Sequence, residues 1–330
     1  MKLSIIVPVY NVEEYLERCV RSLEDQDLAK EEYEIIVVND GSPDNSKQLI
    51  EKLQTEFSNI ILIDQENQGV SMARNNAIER ATGEYILPID PDDYVLPNTL
   101  AHLYNKAHTL QVDVLFAGFE IFDVEGGFLW RTDYHERSEN IWEGVSAYFA
   151  SRGKNVKDPD RSVALLYKSR LLHSYQITYP KDVPFLEDGI FLGKVFIFAR
   201  RVVFDNERFY QRTTRQGSAT NSKLMFSEES IRGFILACKD IRRVTESSNL
   251  SPEQTGLVSH LIAKFVLLSL TPALLEYRLF QFFRVLKVLK AEGFSRLELP
   301  LEKNRYYKFA RIYNHSWCLL LIHRYLRTYL

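Results

Sequence analysis

Cysteine is scarce in these 330 residues, with only Cys19, Cys238 and Cys318, widely separated and without a CxxC pair. That usage excludes a disulfide framework and a thiolate zinc site, and it fits a reducing compartment. No apolar run reaches the roughly 18 residues of a spanning segment, so no transmembrane helix is expected. The opening residues Met1 to Ser4 lead into a strand without a charged segment and apolar core, so no signal peptide is expected. Together these absences predict a cytoplasmic protein, one that works on the inner face of the cell membrane if it meets a membrane at all. Internal repeats and low-complexity segments are also missing. At 45% hydrophobic and 26% charged residues the composition is that of a globular protein, and the length suggests about two domains.

The charge is unevenly spread. Arg278 to Leu330 holds 11 Lys/Arg against three acidic residues, whereas the whole chain carries a net charge of −3. Within that tail Tyr306, Tyr307, Phe309, Tyr313 and Trp317 interleave with Arg305, Lys308 and Arg311. A basic, aromatic helix suits the headgroup region of an anionic bilayer. The same pattern suits a core-packing helix with solvated basic edges, or a homo-oligomer interface. No nucleic-acid motif accompanies the charge, so nucleic acid is not expected as a partner.

Short apolar runs alternate with amphipathic stretches over the first part of the chain. Strands are predicted over Ser4–Val9, Glu34–Asn39, Ile60–Asp64 and Tyr85–Ile89. Helices are predicted after Asn11 as cap, over Ser46–Phe57 and over Val70–Ala81. This alternation implies an α/β, doubly wound sheet, in which ligands bind beyond the carboxyl ends of the strands. Further on, Asn98–Thr109 reads as a helix, and Val112–Phe122 and Ser162–Tyr167 as strands of a mixed extension. Asp123 to Pro159 carries no clear period. Beyond Met225 the pattern is helical, with Ser227 and Ser251 as caps, Pro252 at a first helical position and Pro272 as a break or kink.

Five polar clusters punctuate these elements. Pro8 to Asn11 and Asn39 to Ser42 follow strands, where a carboxylate and a glycine turn can accept hydrogen bonds from a base or ribose. A plain Asx turn has the same appearance. Asn67 to Asn75 places Gly69 at a tight helix entry, with Arg74 able to grip a phosphate or stack on a base; a solvated arginine is the alternative. Asp90, Asp92 and Asp93 gather three carboxylates that repel one another unless a hard cation sits among them. Glu187 and Asp188 stand in an apolar, aromatic stretch, as a base or as a helix cap. Tyr210 to Ser218 offers Arg212, Arg215, hydroxyls and a glycine, as a loop over a diphosphate or as surface.

In order and spacing, these clusters closely resemble the family 2 glycosyltransferases with the GT-A fold. The matching segments are SIIVPVYN (Ser4–Asn11), NDGS (Asn39–Ser42), NQG and ARN (Asn67–Gly69 and Ala73–Asn75), and Gly83–Ile86 leading to an Asp-x-Asp-Asp run at Asp90–Asp93. The resemblance implies a GT-A domain over 1–222, with a nucleotide-sugar-binding half (1–100) and an acceptor half (101–222), followed by a helical region, 223–330. It implies that Asp40 holds a pyrimidine base with Pro8, Tyr10 and Asn67 around it, that Arg74 sits beside the donor, and that Asp90 contacts the nucleotide sugar. It assigns Asp92 to a divalent metal, Mn²⁺ or Mg²⁺, Arg212 and Arg215 to the leaving diphosphate, and Asp188 to the general base. An inverting, metal-dependent transfer from a nucleotide diphosphate sugar, a UDP-sugar by resemblance alone, to a glycan or lipid-linked acceptor of a surface polysaccharide follows.

The Gln-x-x-Arg-Trp motif of processive synthases is missing, which points to one transfer per encounter. A nucleotidyltransferase would want a glycine-rich, lysine-bearing phosphate loop near the N-terminus. A dinucleotide oxidoreductase would want GxGxxG after the first strand. Neither is present. An inactive nucleotide-sugar-binding module should lack one carboxylate of the set, and all are here.

Overall fold

A computed structural model describes residues 1–152, 160–214, 227–247, 249–276 and 278–322. In chain order its first elements are β1 (Leu3–Val9), α1 (Glu13–Glu24), β2 (Tyr33–Asp40), α2 (Ser46–Glu56), β3 (Ile60–Gln65), α3 (Val70–Arg80) and β4 (Tyr85–Pro88). Then come β5 (Tyr94–Val95), α4 (Leu100–Thr109), β6 (Val114–Phe122), β7 (Phe128–Arg131), α5 (Gly144–Ala150), β8 (Leu165–Lys168), α6 (Ser169–Ser174), α7 (Glu187–Phe198) and β9 (Val202–Thr213). After them come α8 (Glu228–Ser247), α9 (Pro252–Leu275), α10 (Leu279–Ala291) and α11 (Arg305–His315).

The sheet runs β3-β2-β1-β4-β8-β6-β9-β5, with β7 on β6. β3, β2, β1 and β4 are parallel. β8 lies antiparallel between β4 and β6, and β9 is parallel to β6. This is the expected α/β class with its mixed extension. Every residue of β1 and β2 is buried, as a parallel strand covered on both faces requires. Even their polar members are matched. The Ser4 hydroxyl donates to Glu34 at 2.5 Å, and Glu34 also accepts from the Thr82 amide at 2.7 Å. Gly83 fits here because a Cβ would lie 2.4 Å from the Ser4 nitrogen.

Two helix expectations need correction. Asn11 does not cap α1. It takes a left-handed φ of 54°, and its amide donates to Ser42 Oγ at 2.7 Å. The first-turn amide of Glu13 is capped from afar, by Asp44 Oδ2 at 2.9 Å. Pro272 does not break its helix either: α9 runs through it to Leu275, and what the proline removes is the one hydrogen bond to the Leu268 carbonyl in the turn before it. The Ser251 cap is a full capping box with Gln254, and Pro252 sits at the start. The Asp123–Pro159 stretch holds β7 and α5, both too short to leave a periodic signature.

The chain forms two compact units, Met1–Lys181 with Phe198–Ser218, and Asp182–Ile197 with Ala219–Leu330. The second unit is helical. In it α7 is buried all round from Gly189 to Ile197, as a central helix must be. Gly193 lets α9 approach, because a Cβ there would meet Leu261 at 2.5 Å. Lys194 pairs with Asp240 on α8 at 2.8 Å. By length and composition α9 passes as a membrane span, with a mean hydropathy of 1.7, but 72% of that window is buried inside the protein. Tyr306, Phe309 and Tyr313 of α11 are core residues, while Lys308 and Arg311 lie outward.

Candidate active site

β2, β1 and β4 are neighbours, so their carboxyl ends open on one edge of the sheet in the first unit. Asp40 ends β2 and is 3% exposed. Its Oδ1 accepts from the Gln68 amide and from Gln65 Nε2, both at 2.8 Å, and its Oδ2 accepts from the Gly69 amide at 2.9 Å. One buried carboxylate thereby shapes the turn that enters α3. Gly41 has φ 65°, and a Cβ there would lie 2.8 Å from the Asn67 nitrogen, so only glycine allows this approach. Gly69, at φ 85°, turns the chain into α3 as expected. Pro8 is buried in β1, whereas Tyr10 is half-exposed and Asn67 exposed at the rim.

Asp44 shows how well this edge satisfies a carboxylate. Burial alone would raise its pKa, but hydrogen bonds from Ser46, Ser42 and the Glu13 amide outweigh that and hold it at about 2.

The end of β4 is different. One carboxylate oxygen from each of Asp90, Asp92 and Asp93 lies within 4.8 Å of the others. Asp93 is 2% exposed; the other two are half-buried. Burial, and then the facing charges of Asp90 and Asp92, push the Asp93 carboxyl well above its ordinary range, against the pull of Tyr210 and Arg212. The Tyr210 hydroxyl donates to Asp93 Oδ2 at 2.7 Å and accepts from the Asp90 amide at 3.1 Å. Arg74, 4% exposed, donates to Asp90 Oδ1 at 2.8 Å and stacks 5.1 Å above the Tyr179 ring. Asn75 holds the Tyr179 backbone with two hydrogen bonds, at 2.8 and 3.0 Å. Arg18 donates to the Asp92 carbonyl at 2.9 Å while stacking on Tyr94. The Cys19 thiol behind the cluster is fully buried and pushed up by that burial and by the same aspartates, so it is inert.

Three crowded carboxylates, with Arg74 on Asp90, form an all-oxygen donor set that suits a hard divalent cation. The acidic run had already marked all three aspartates, with the metal assigned to Asp92; the sequence reading missed Arg18, Tyr179 and Tyr210 as supports. Tyr210 lies 117 positions from Asp93 and only the β5–β9 pairing brings it there.

The remaining candidates divide by unit. Arg212 is half-buried on β9 in the first unit. Arg215 lies outside the described residues. Asp188 is half-buried in the second unit, in the first turn of α7 beside Glu187. It follows Leu186 at φ 62°, whose carbonyl accepts from the Gly189 amide at 3.1 Å. A carboxylate at that position is favoured by the helix dipole.

A parallel edge continued by a mixed set of strands, with clustered aspartates after β4, defines a GT-A protein. Residues 4–168 match the family described as glycosyl transferase family 2, and the chain belongs to that family. Among curated relatives, glycosyltransferase GlyA of Streptococcus pneumoniae is 30% identical over 258 residues, 76% of this chain and 35% of that protein. The poly(ribitol-phosphate) beta-glucosyltransferase of Bacillus spizizenii is 28% identical over 252 residues, 76% of this chain and 38% of that protein. The chain thus spans little more than a third of the length of these relatives. Among solved structures, S. aureus TarS 1-349 in complex with UDP aligns with a TM-score of 0.61 at 26% identity, over 81% of this chain and 71% of that one. The same protein in complex with UDP-GlcNAc aligns with a TM-score of 0.72 at 23% identity, over 98% and 89%, a likeness of fold.

Proposed function

We infer that the chain transfers one sugar from a UDP-sugar to a hydroxyl of a cell-surface glycan polymer, with inversion and with the help of a divalent cation. The observation that carries this reading is the cluster of Asp90, Asp92 and Asp93 oxygens within 4.8 Å at the end of β4. UDP complexes of a structural relative favour the nucleotide, and a relative acting on poly(ribitol-phosphate) favours a polymer whose backbone carries phosphates.

In this reading Asp40, Pro8, Tyr10 and Asn67 form the nucleoside end, and Asp90 positions the donor sugar under the hold of Arg74. Asp92, with Asp93 beside it, holds the cation. A bound Mn²⁺ or Mg²⁺ supplies Lewis-acid stabilisation of the departing diphosphate. Arg212 and Arg215 add positive charge there. Asp188 takes the proton of the acceptor hydroxyl as its oxygen bonds to the anomeric carbon. The bond from that carbon to the diphosphate breaks on the opposite face, and UDP leaves.

The test is UDP release from UDP-glucose and UDP-GlcNAc with poly(ribitol phosphate) as acceptor, with Mn²⁺ or with EDTA, and NMR of the product linkage. Metal-dependent release and a β-linked product from the α-linked donor are expected. Asp188→Asn should slow release by about 10²–10⁴-fold with donor binding kept. No release from either donor by a folded protein that binds UDP would leave an inactive nucleotide-sugar-binding module.

A further inference from the structure

The second unit holds a concave feature that sugar transfer does not use. A cavity of about 600 Å³ lies beside α11 and the segment joining α10 to it. Arg296, Lys308, Arg311 and His315 line it, with Leu299 and Leu319, and no acidic side chain does. Among the described residues none of those four basic side chains makes an ion pair or a hydrogen bond. Of the acids in the joining segment, Glu292 pairs with Lys239 at 2.7 Å, Glu298 accepts from the Ser259 hydroxyl at 3.2 Å, and Glu302 does not line the cavity.

The recess is built by the fold. Lys308, Arg311, Ile312 and His315 recur at helical spacing on one face of α11, while Tyr306, Phe309, Ala310 and Tyr313 bury the other. The joining segment is tied to α11 at two points. Tyr313 donates to the Phe294 carbonyl at 2.7 Å. Asn314 accepts from the Leu297 amide at 2.8 Å and donates to the Leu297 carbonyl at 2.7 Å. The wall that carries Arg296 and Leu299 therefore keeps its place without a ligand, and ordering it costs little on binding.

The geometry points to this cavity as a subsite for the phosphodiester groups of a polyanionic acceptor chain. It rests on the acceptor class proposed above and adds where such a chain is held. Uncompensated cations attract phosphate over several ångströms, and two guanidinium groups can each grip phosphate oxygens in pairs. The exposed Leu299 and Leu319 beside the cations can cover the methylene groups between phosphates of such a polymer.

The test uses the full chain and a short fluorescein-labelled oligo(glycerol phosphate), followed by fluorescence anisotropy. The wild type should bind, more weakly as NaCl rises from about 50 to 300 mM. Arg296→Gln/Lys308→Gln/Arg311→Gln should weaken binding roughly tenfold or more, and Arg296→Lys/Arg311→Lys, which keeps the charge but loses the paired contacts, should fall between it and the wild type. UDP binding and the melting temperature should be unchanged in both variants, since all three positions are exposed. Wild type that binds UDP but not the oligomer would overturn the subsite while leaving the donor reading intact, and so would a triple variant that binds the oligomer undiminished. Binding of phosphatidylglycerol vesicles, but not of the oligomer, that is lost in the triple variant would also overturn it, in favour of a lipid surface.

Discussion

Two acidic groups sit at the ends of parallel strands one strand apart, and they are held in opposite ways. Asp40 and Asp44, after β2, are met by amides and hydroxyls, and Asp44 is held at about 2. Asp90, Asp92 and Asp93, after β4, face one another, and the buried Asp93 is pushed well up. The residue type is the same and the sheet edge is the same. What differs is the company each carboxylate keeps. The first group is bonded by amides and hydroxyls of the chain's own turns; in the second, carboxylate lies against carboxylate, a crowding that a cation would relieve. Crowded charge at a strand's carboxyl end is where function concentrates.

Substitutions that break the contrast follow from its two sides. The largest effect is expected for Asp92→Ala, with sugar transfer lowered by about 10³-fold in a UDP-release assay. Melting in metal-free buffer should hold or rise, because a repelling charge is gone. Asp40→Asn should act on the fold instead. It sets an amide donor against the donors of Gln68, Gly69 and Gln65, and should cost roughly 2–3 kcal/mol in urea unfolding. Tyr210→Phe removes the hydroxyl from buried Asp93 and should cost about 1–2 kcal/mol. It should also weaken Mn²⁺ binding by roughly tenfold, read by calorimetry.

The smallest effect is expected for Asp44→Asn, about 1 kcal/mol near neutral pH, from the weakened cap on α1. Its pH dependence sharpens the comparison. The folded pKa of Asp44 is about 2, below its ordinary 3.8. Its contribution is therefore fully present above the ordinary value and is lost as pH falls through the folded one. The stability gap between wild type and Asp44→Asn should close across that acid window, and a gap unchanged by pH would contradict the cap.

Much of this edge was legible in the chain, for reasons tied to particular residues. Buried parallel strands leave unbroken apolar runs, so β1, β2 and β4 were readable almost to their ends, and the half-buried β3 was readable from Ile60–Ile63. The acidic run after β4 announced itself by charge crowding alone. Local grammar misled at Asn11, whose side chain suits a cap, because the cap comes from Asp44 across a loop. It was silent on Tyr210, whose meeting with Asp93 depends on strand pairing. It also misjudged Arg74 in part. An arginine on an amphipathic helix reads as solvated or ligand-facing, yet this one is buried against Asp90 and Tyr179. In the C-terminal unit, helical period and the Ser251 cap were visible, but the side of α11 that faces the core could not be told from a membrane-facing one until Tyr306, Phe309 and Tyr313 were seen buried.

The central claim is that the Asp90–Asp92–Asp93 cluster holds a cation on a nucleoside diphosphate. The most direct measurement is thermal shift with UDP, GDP, CDP and dTDP, each with Mn²⁺ and with EDTA, on wild type and on Asp92→Ala. A ligand that binds the folded state raises its melting temperature by mass action. The account predicts stabilisation by UDP that needs Mn²⁺ and is lost in Asp92→Ala. Equal stabilisation by UDP in EDTA, or in Asp92→Ala, would contradict it.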